Sequence, residues 1–355
     1  MHKVFEKYSI GDMTLENRIV RSATMWRMGH PDGSVSDLQV EWARQLAENH
    51  IGLIIKGMAT ISRDGRVSAR QNRLDDDRYI EGHKKITEAV HETGGRIVCQ
   101  INHCGAASDH EIRLSPSGIP YPFTKDKPAV PMTVDDIKRI TKEFADTALR
   151  VKKAGYDGVQ IHCAHGYLLS QFISPVFNKR TDAYGGDGVR RFRFAGEVLD
   201  AVKEAVGESF QVSVKINSNI EEQDESYLPD LLMMCREMKK KGIAFIELSG
   251  CDFTPRGRAG EHHYYLERAA LVRKEVDIPV MLVGGIRSVA DMEKVIDSGI
   301  DMVSISRPFL CEPDLITKFL NGQKESKCVS CSRCFLLLYQ EIPDGPKCVQ
   351  HVRPE

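Results

Sequence analysis

No stretch of this 355-residue chain holds about 18 consecutive apolar residues, the length a membrane-spanning helix needs. Its opening residues, MHKVFEKYSI, lack the apolar core of a secretion signal, so a cytoplasmic protein is expected. Bulk charge is missing too. With 49 basic and 50 acidic residues the formal net charge is −1, and no field draws the chain to nucleic acid or to an anionic membrane. Fixed-length repeats and low-complexity tracts are absent, and the nearest approach to a linker is NGQKESK, just before Cys328. No Gly-rich dinucleotide fingerprint follows any strand candidate. Small-molecule chemistry in one large domain with a short appendage is what these absences leave.

What is present is alternation. Strand-like runs NRIVRS, IGLIIKGMAT, GRIVCQIN, YDGVQI, FQVSVKIN, AFIELS, PVMLVGG and MVSIS are each followed by a stretch with helical spacing. Thr133 is placed to cap the helix VDDIKRITKEFADTALRVKKAG, with Asp136 completing an acidic first turn. Eight such units argue for an α/β fold, a closed (β/α)8 TIM barrel over residues 1–321, because right-handed crossovers leave few other solutions. The alternative is a doubly wound open sheet. Residues 322–355 form a cysteine-rich extension expected to pack on the barrel.

In such a barrel the residues that close each strand converge on one face. Strand four ends in HCAHGY, so His162, His165 and Tyr167 should meet there, two imidazoles and a phenol able to polarise a carbonyl and deliver a proton. Gly284 and Gly285 close strand seven, and Ser306 and Arg307 close strand eight. Backbone N–H groups beside a guanidinium make a phosphate cradle. The alternative for each element alone is a satisfied core or cap histidine, an ordinary turn glycine or a surface arginine.

The stretch His162 to Gly186, HCAHGYLLSQFISPVFNKRTDAYGG, resembles the fourth strand-loop of the old yellow enzyme family, and the likeness extends from about Phe5 to Phe319. That resemblance implies FMN at the barrel mouth. Thr24 then lies near the flavin O4 and N5, Gly57 and Met58 pack on the ring system, and Gln100 pairs with the pyrimidine edge. Lys215 supplies a cation near N1, while Gly284, Gly285, Ser306 and Arg307 hold the phosphate. It further implies that His162 and His165 hold a substrate carbonyl, with hydride from flavin N5 and a proton from Tyr167 reducing a conjugated C=C bond. Departures from the family pattern fall around the substrate: Ala106 and Lys215 where Arg is common, Trp26 and Arg27 after strand one. Met25 stands where some relatives carry a cysteine tied to the flavin, so non-covalent FMN is expected.

Four of the ten cysteines crowd together as Cys328, Cys331, Cys334 and Cys348. In a reducing compartment this reads as metal ligation. Three thiolates at three-residue steps can turn inward around one centre and a distant fourth can close it, which suits an iron-sulfur cluster; tetrahedral zinc accepts four thiolates as well. The run resembles the cluster motif of the iron-sulfur branch that includes 2,4-dienoyl-CoA reductase and trimethylamine dehydrogenase. A 4Fe-4S cluster near the flavin is the leading expectation, with zinc as the lesser one. NAD(P)H at the flavin site, or a redox partner protein acting through the cluster, would supply electrons. The function expected is an NAD(P)H:flavin ene-reductase acting on an enone-type small molecule. The alternatives are an amine dehydrogenase of the trimethylamine dehydrogenase type, or an electron-relay subunit of a larger redox complex.

Overall fold

The computed structural model describes residues 2–122, 127–220, 225–336 and 348–349. Eight parallel strands close into a barrel: β1 Ile19–Met25, β2 Leu53–Thr60, β3 Ile97–Asn102, β4 Gly158–Cys163, β5 Gln211–Asn217, β6 Phe245–Ser249, β7 Val280–Val283 and β8 Met302–Ile305. Neighbours around the wall are neighbours in sequence, and β5 pairs with β6 to complete the ring that β8 and β1 close on the other side. This is the TIM-barrel topology expected, and the open-sheet alternative is excluded. The crossover helices include α1 Asp37–Glu48, α2 Ile80–His91, α3 Val134–Lys153, α4 Gly188–Val206 and α5 Leu228–Lys240. Thr133 and Asp136 do form a reciprocal cap at the start of α3. Among the described residues no helix is long and apolar enough to cross a membrane.

The core has two parts. Between the barrel wall and the helices lies a large apolar shell, including Ile54, Ile86, Phe144, Val159, Phe194 and Met234. Inside the barrel lies a smaller cluster: Val20, Leu53, Ile55, Val98, Phe245, Met281 and Met302. Ile10, Met13 and Leu15 join it from an antiparallel hairpin, Tyr8–Ile10 with Met13–Leu15, that the sequence reading did not anticipate. The hairpin therefore caps the amino-terminal mouth. Burying these side chains contributes roughly 1.5–3 kcal/mol each, which leaves the opposite mouth free to be polar.

Helix boundaries differ from the sequence reading in one instructive place. The stretch HHYYLERAALVRKEV follows the sixth strand candidate with helical spacing, yet the helix begins only at Leu266 and runs to Glu275. His262 and His263 are instead drawn to Asp291 at 2.9 and 3.1 Å, and Tyr264 and Tyr265 are buried. Tertiary contacts outweigh the weak helix preference of a His-His-Tyr-Tyr run.

Candidate active site

Side chains inside a strand alternate faces, so the residue two beyond each inward apolar one also points inward. Val20 is followed by Ser22, Val98 by Gln100, Phe245 by Glu247 and Met302 by Ser304. A polar layer thus sits directly above the apolar plug. Glu247 is its hub: Ser304 Oγ donates to it at 2.6 Å, Ser22 Oγ at 2.7 Å, Gln160 Nε2 at 3.0 Å and Lys215 Nζ at 3.3 Å. Burial alone would raise the Glu247 carboxyl, but the Lys215 charge and these hydrogen bonds outweigh it and hold it below its ordinary value. Lys215 is lowered by burial, against the pull of Glu247.

Above this layer opens a cavity of about 1510 Å³ at the carboxyl ends of the strands. Thr24, Met58, Gln100, His162, His165, Tyr167, Lys215, Gly284, Gly285, Ser306 and Arg307 all line it. Eleven of the twelve residues expected at a catalytic or flavin site therefore meet in one place. Gly57 does not line it. β1 and β2 shift register beside Gly57, and a Cβ there would meet the Thr24 backbone nitrogen at 2.7 Å. Its missing side chain serves the approach of two strands.

The HCAHGY segment is shaped by its backbone. His165 and Gly166 adopt consecutive left-handed conformations, φ 59° and 71°, turning the chain sharply where β4 ends. Asn217 Oδ1 accepts the His165 N–H at 3.2 Å and pins this turn. The His162 ring then lies 5.2 Å from both the His165 and Tyr167 rings, centre to centre. His162 Nδ1 accepts from the Ala164 N–H at 3.4 Å, which leaves its proton on Nε2. His165 Nε2 meets Ser249 Oγ at 2.8 Å. Burial, reinforced by its neighbours His165 and Lys215, drives His162 well below the usual imidazole value; burial and Lys215 push His165 down to about 3. Both are neutral hydrogen-bonding groups at physiological pH.

A model of the NADH:flavin oxidoreductase / NADH oxidase family matches residues 3–326. The chain belongs to this flavin oxidoreductase family. It is 32% identical over 346 residues to the NADH oxidase of Thermoanaerobacter brockii, covering 93% of this chain and 52% of that protein. It is 33% identical over 348 residues to a metal reductase of Desulforamulus reducens, covering 94% and 51%. The chain thus spans about half the length of these curated relatives. Among solved structures, morphinone reductase in complex with tetrahydroNAD shares 26% identity at a TM-score of 0.80, covering 92% of this chain and 93% of that one. An old yellow enzyme homologue from Zymomonas mobilis shares 25% at 0.81, covering 97% and 98%. A 2-naphthoyl-CoA reductase complex matches at 0.89 with 22% identity, covering 97% of this chain and 56% of that one, a likeness of fold.

The long tail of the flavin oxidoreductase motif proves to be a latch. Asn178 Nδ2 donates to the Phe172 and Tyr184 carbonyls at 2.8 and 2.7 Å, and Arg180 donates to the Pro116 and Met132 carbonyls. Arg191 joins Asp230 and the Gly186 carbonyl. These residues lock loops around the cavity and do not line it.

The cysteines gather without closing a site. Cys328, Cys331, Cys334 and Cys348 line one small cavity of about 10 Å³, and the free thiol of Cys311, which the sequence reading did not include, is hydrogen-bonded to that of Cys348. Among the described residues, no three His, Cys, Asp or Glu side chains stand where they could hold a metal ion. Cys334 and Arg307 line both this cavity and the large one. Arg307 is tied to the cysteine segment, donating to the Ser330 carbonyl at 3.1 Å and Ser332 Oγ at 2.8 Å. Sequence reasoning missed Arg21. Its buried guanidinium donates to Thr24 Oγ1 at 2.6 Å, lies 6.0 Å over the Phe309 ring, and has Nε and one NH2 group with no hydrogen-bond partner among the described residues.

Proposed function

We propose that this chain is an FMN-dependent ene-reductase acting on the C=C bond of an α,β-unsaturated carbonyl compound. The observation that carries this reading is the convergence of His162, His165 and Tyr167 on a cavity floored by Gln100, Lys215 and Thr24. The residues fit the cofactor: an amide and an ammonium suit the donor-acceptor edge of a flavin, and the Gly284–Gly285 turn with Ser306 and Arg307 suits its phosphate. Gly285 has φ 68°, and a Cβ there would strike the Tyr264 ring at 2.5 Å, so the turn tolerates nothing larger. Bound FMN would supply two-electron hydride chemistry between NAD(P)H and an electron-poor double bond.

In this reading His162 Nε2–H and His165 bind the substrate's carbonyl oxygen. Neutral imidazoles aimed at a developing enolate stabilise it without a charge to desolvate in the ground state. Tyr167 gives its phenolic proton to the α-carbon. Morphinone reductase, seen with a reduced nicotinamide analogue, supports NAD(P)H as the donor. The purified protein should bind FMN stoichiometrically, be reduced by NADH or NADPH, and be reoxidised anaerobically by simple enones. A colourless protein that refuses FMN ends the reading. Because both imidazoles are held neutral, the pH-rate profile should show no inflection near pH 6.5.

We further propose that Cys328, Cys331, Cys334 and Cys348 hold a 4Fe-4S cluster, which would supply single-electron transfer beside the flavin site. The Arg307 guanidinium, which lines the same small cavity as the four cysteines, suits a set of thiolates, an anionic centre, better than four neutral thiols. Anaerobic analysis should return iron and acid-labile sulfide; tightly bound zinc without iron would replace the cluster by a structural site. Because Cys334 lines both cavities, an electron-relay role with a separate redox partner protein is the second reading.

A further inference from the structure

The polar layer under the cavity contains a chain of hydrogen bonds whose direction is not free. Gln100 Nε2 donates to Gln160 Oε1 at 2.8 Å, and Gln160 Nε2 donates to Glu247 Oε2 at 3.0 Å. Gln160 and Glu247 are completely buried and neither lines the cavity. An ionised carboxylate only accepts, so Gln160 must turn its amide nitrogen toward Glu247 and its oxygen toward Gln100. Gln100 must then spend one N–H on Gln160, leaving its Oε1 and one N–H for the cavity. The same carboxylate, through its other oxygen, meets Lys215 Nζ and the Ser22 and Ser304 hydroxyls. Ser22 in turn accepts from Lys215 Nζ at 2.7 Å. One buried group thus orients an amide on β3 and compensates an ammonium on β5, two strands that are not adjacent in the wall.

We propose that Glu247 is a positioning residue for the bound flavin: it sets the polarity of the Gln100 amide through Gln160 and balances the charge of Lys215. The inference rests on the FMN reading. A flavin's pyrimidine edge pairs one N–H donor with flanking carbonyl acceptors, and a Gln100 that presents an oxygen beside an N–H matches it, whereas the flipped amide does not. Lys215 with Glu247 forms a nearly neutral floor. Without the carboxylate the ammonium would favour the negatively charged reduced cofactor far more than the oxidised one.

Two variants separate these effects. Gln160→Met keeps the length of the side chain and the Lys215–Glu247 pair but breaks the relay, so oxidised FMN should bind about tenfold more weakly, in line with one lost buried hydrogen bond. Glu247→Gln keeps shape and removes charge. It should raise the reduced-to-oxidised affinity ratio by about tenfold or more, which a two-electron couple reads as an upward shift of about 30 mV per tenfold in spectroelectrochemical titration. In a Lys215→Met background the same substitution should leave the potential nearly unmoved, a coupling that a purely structural role would not produce. Should Glu247→Gln fail to fold, the comparison of Gln160→Met with wild type still decides the relay. An unchanged or lowered potential in folded, FMN-bound Glu247→Gln, or wild-type FMN affinity in Gln160→Met, overturns the inference. A wild-type protein that does not bind FMN overturns the underlying reading instead.

Discussion

Replacing Tyr167 with Phe should slow anaerobic reoxidation of the reduced protein by an enone about 10²- to 10⁴-fold, the usual contribution of a positioned proton donor. FMN affinity should stay within a factor of two or three. The ring itself remains, and it is the ring that packs edge-on against His162 with a 70° interplanar angle. His162→Ala should cost about 10²- to 10³-fold in the same step, since it removes a donor to the developing oxyanion. It should also weaken binding of phenols or other carbonyl mimics that compete with substrate. The two residues act on opposite ends of one proton-coupled event, so the double variant should fall short of the product of the single effects. Stopped-flow traces at 450 nm or so, a flavin's main visible band, give both rates; equal rates in wild type and Tyr167→Phe would remove Tyr167 from the mechanism.

Acid should destabilise the apo-protein well before its carboxylates titrate. His83 and His162 are buried and held well below the ordinary value of 6.5, His83 by burial and then by the Lys56 charge. The unfolded chain protonates these rings below pH 6.5 and the native protein does not. Stability is therefore full above pH 6.5 and falls as pH drops, with the slope of each group set by one proton, about 1.4 kcal/mol per pH unit. Each ring contributes this slope over the interval between pH 6.5 and its own depressed native value. His165, pushed down to about 3 but opening onto the cavity, adds to this in part. Urea titrations at pH 7, 6 and 5 check the slope, and His83→Gln should reduce it. A flat stability across that range would mean the rings are protonated in the native state.

The barrel was legible because its signal is repeated eight times: buried strand, polar turn, amphipathic helix. The catalytic face was legible for the same reason, since once eight strands are parallel their carboxyl ends must share a rim. His162 and Ser306 could be assembled from their positions at strand ends, whereas the roles of Gln100 and Lys215 came from the family resemblance. Glu247 was equally available from the pattern, two residues after Phe245 on an inward face, but a lone Glu inside FIELS carries no local mark of a hub. Gly57 was expected at the ring and does not line the cavity, and a glycine that serves two strands looks the same in sequence as one that faces a ring. Arg21 was missed because an arginine in NRIVRS reads as a strand-edge charge until the closed barrel is seen to bury it completely beside Thr24 and Phe309.

Local sequence by itself determined the strands, the helix caps, the polar and apolar alternation inside the barrel and the residues at each strand's end. These depend on neighbours within a few positions, where spacing and side-chain chemistry act directly. Only the tertiary structure decided which way the amides of Gln100 and Gln160 point, that Arg307 is held by Ser330 and Ser332, that Cys334 lines both the cysteine cavity and the large one, and that an N-terminal hairpin plugs the far mouth. Those facts join residues far apart in the chain, and hydrogen-bond direction and charge compensation exist only once the partners have met.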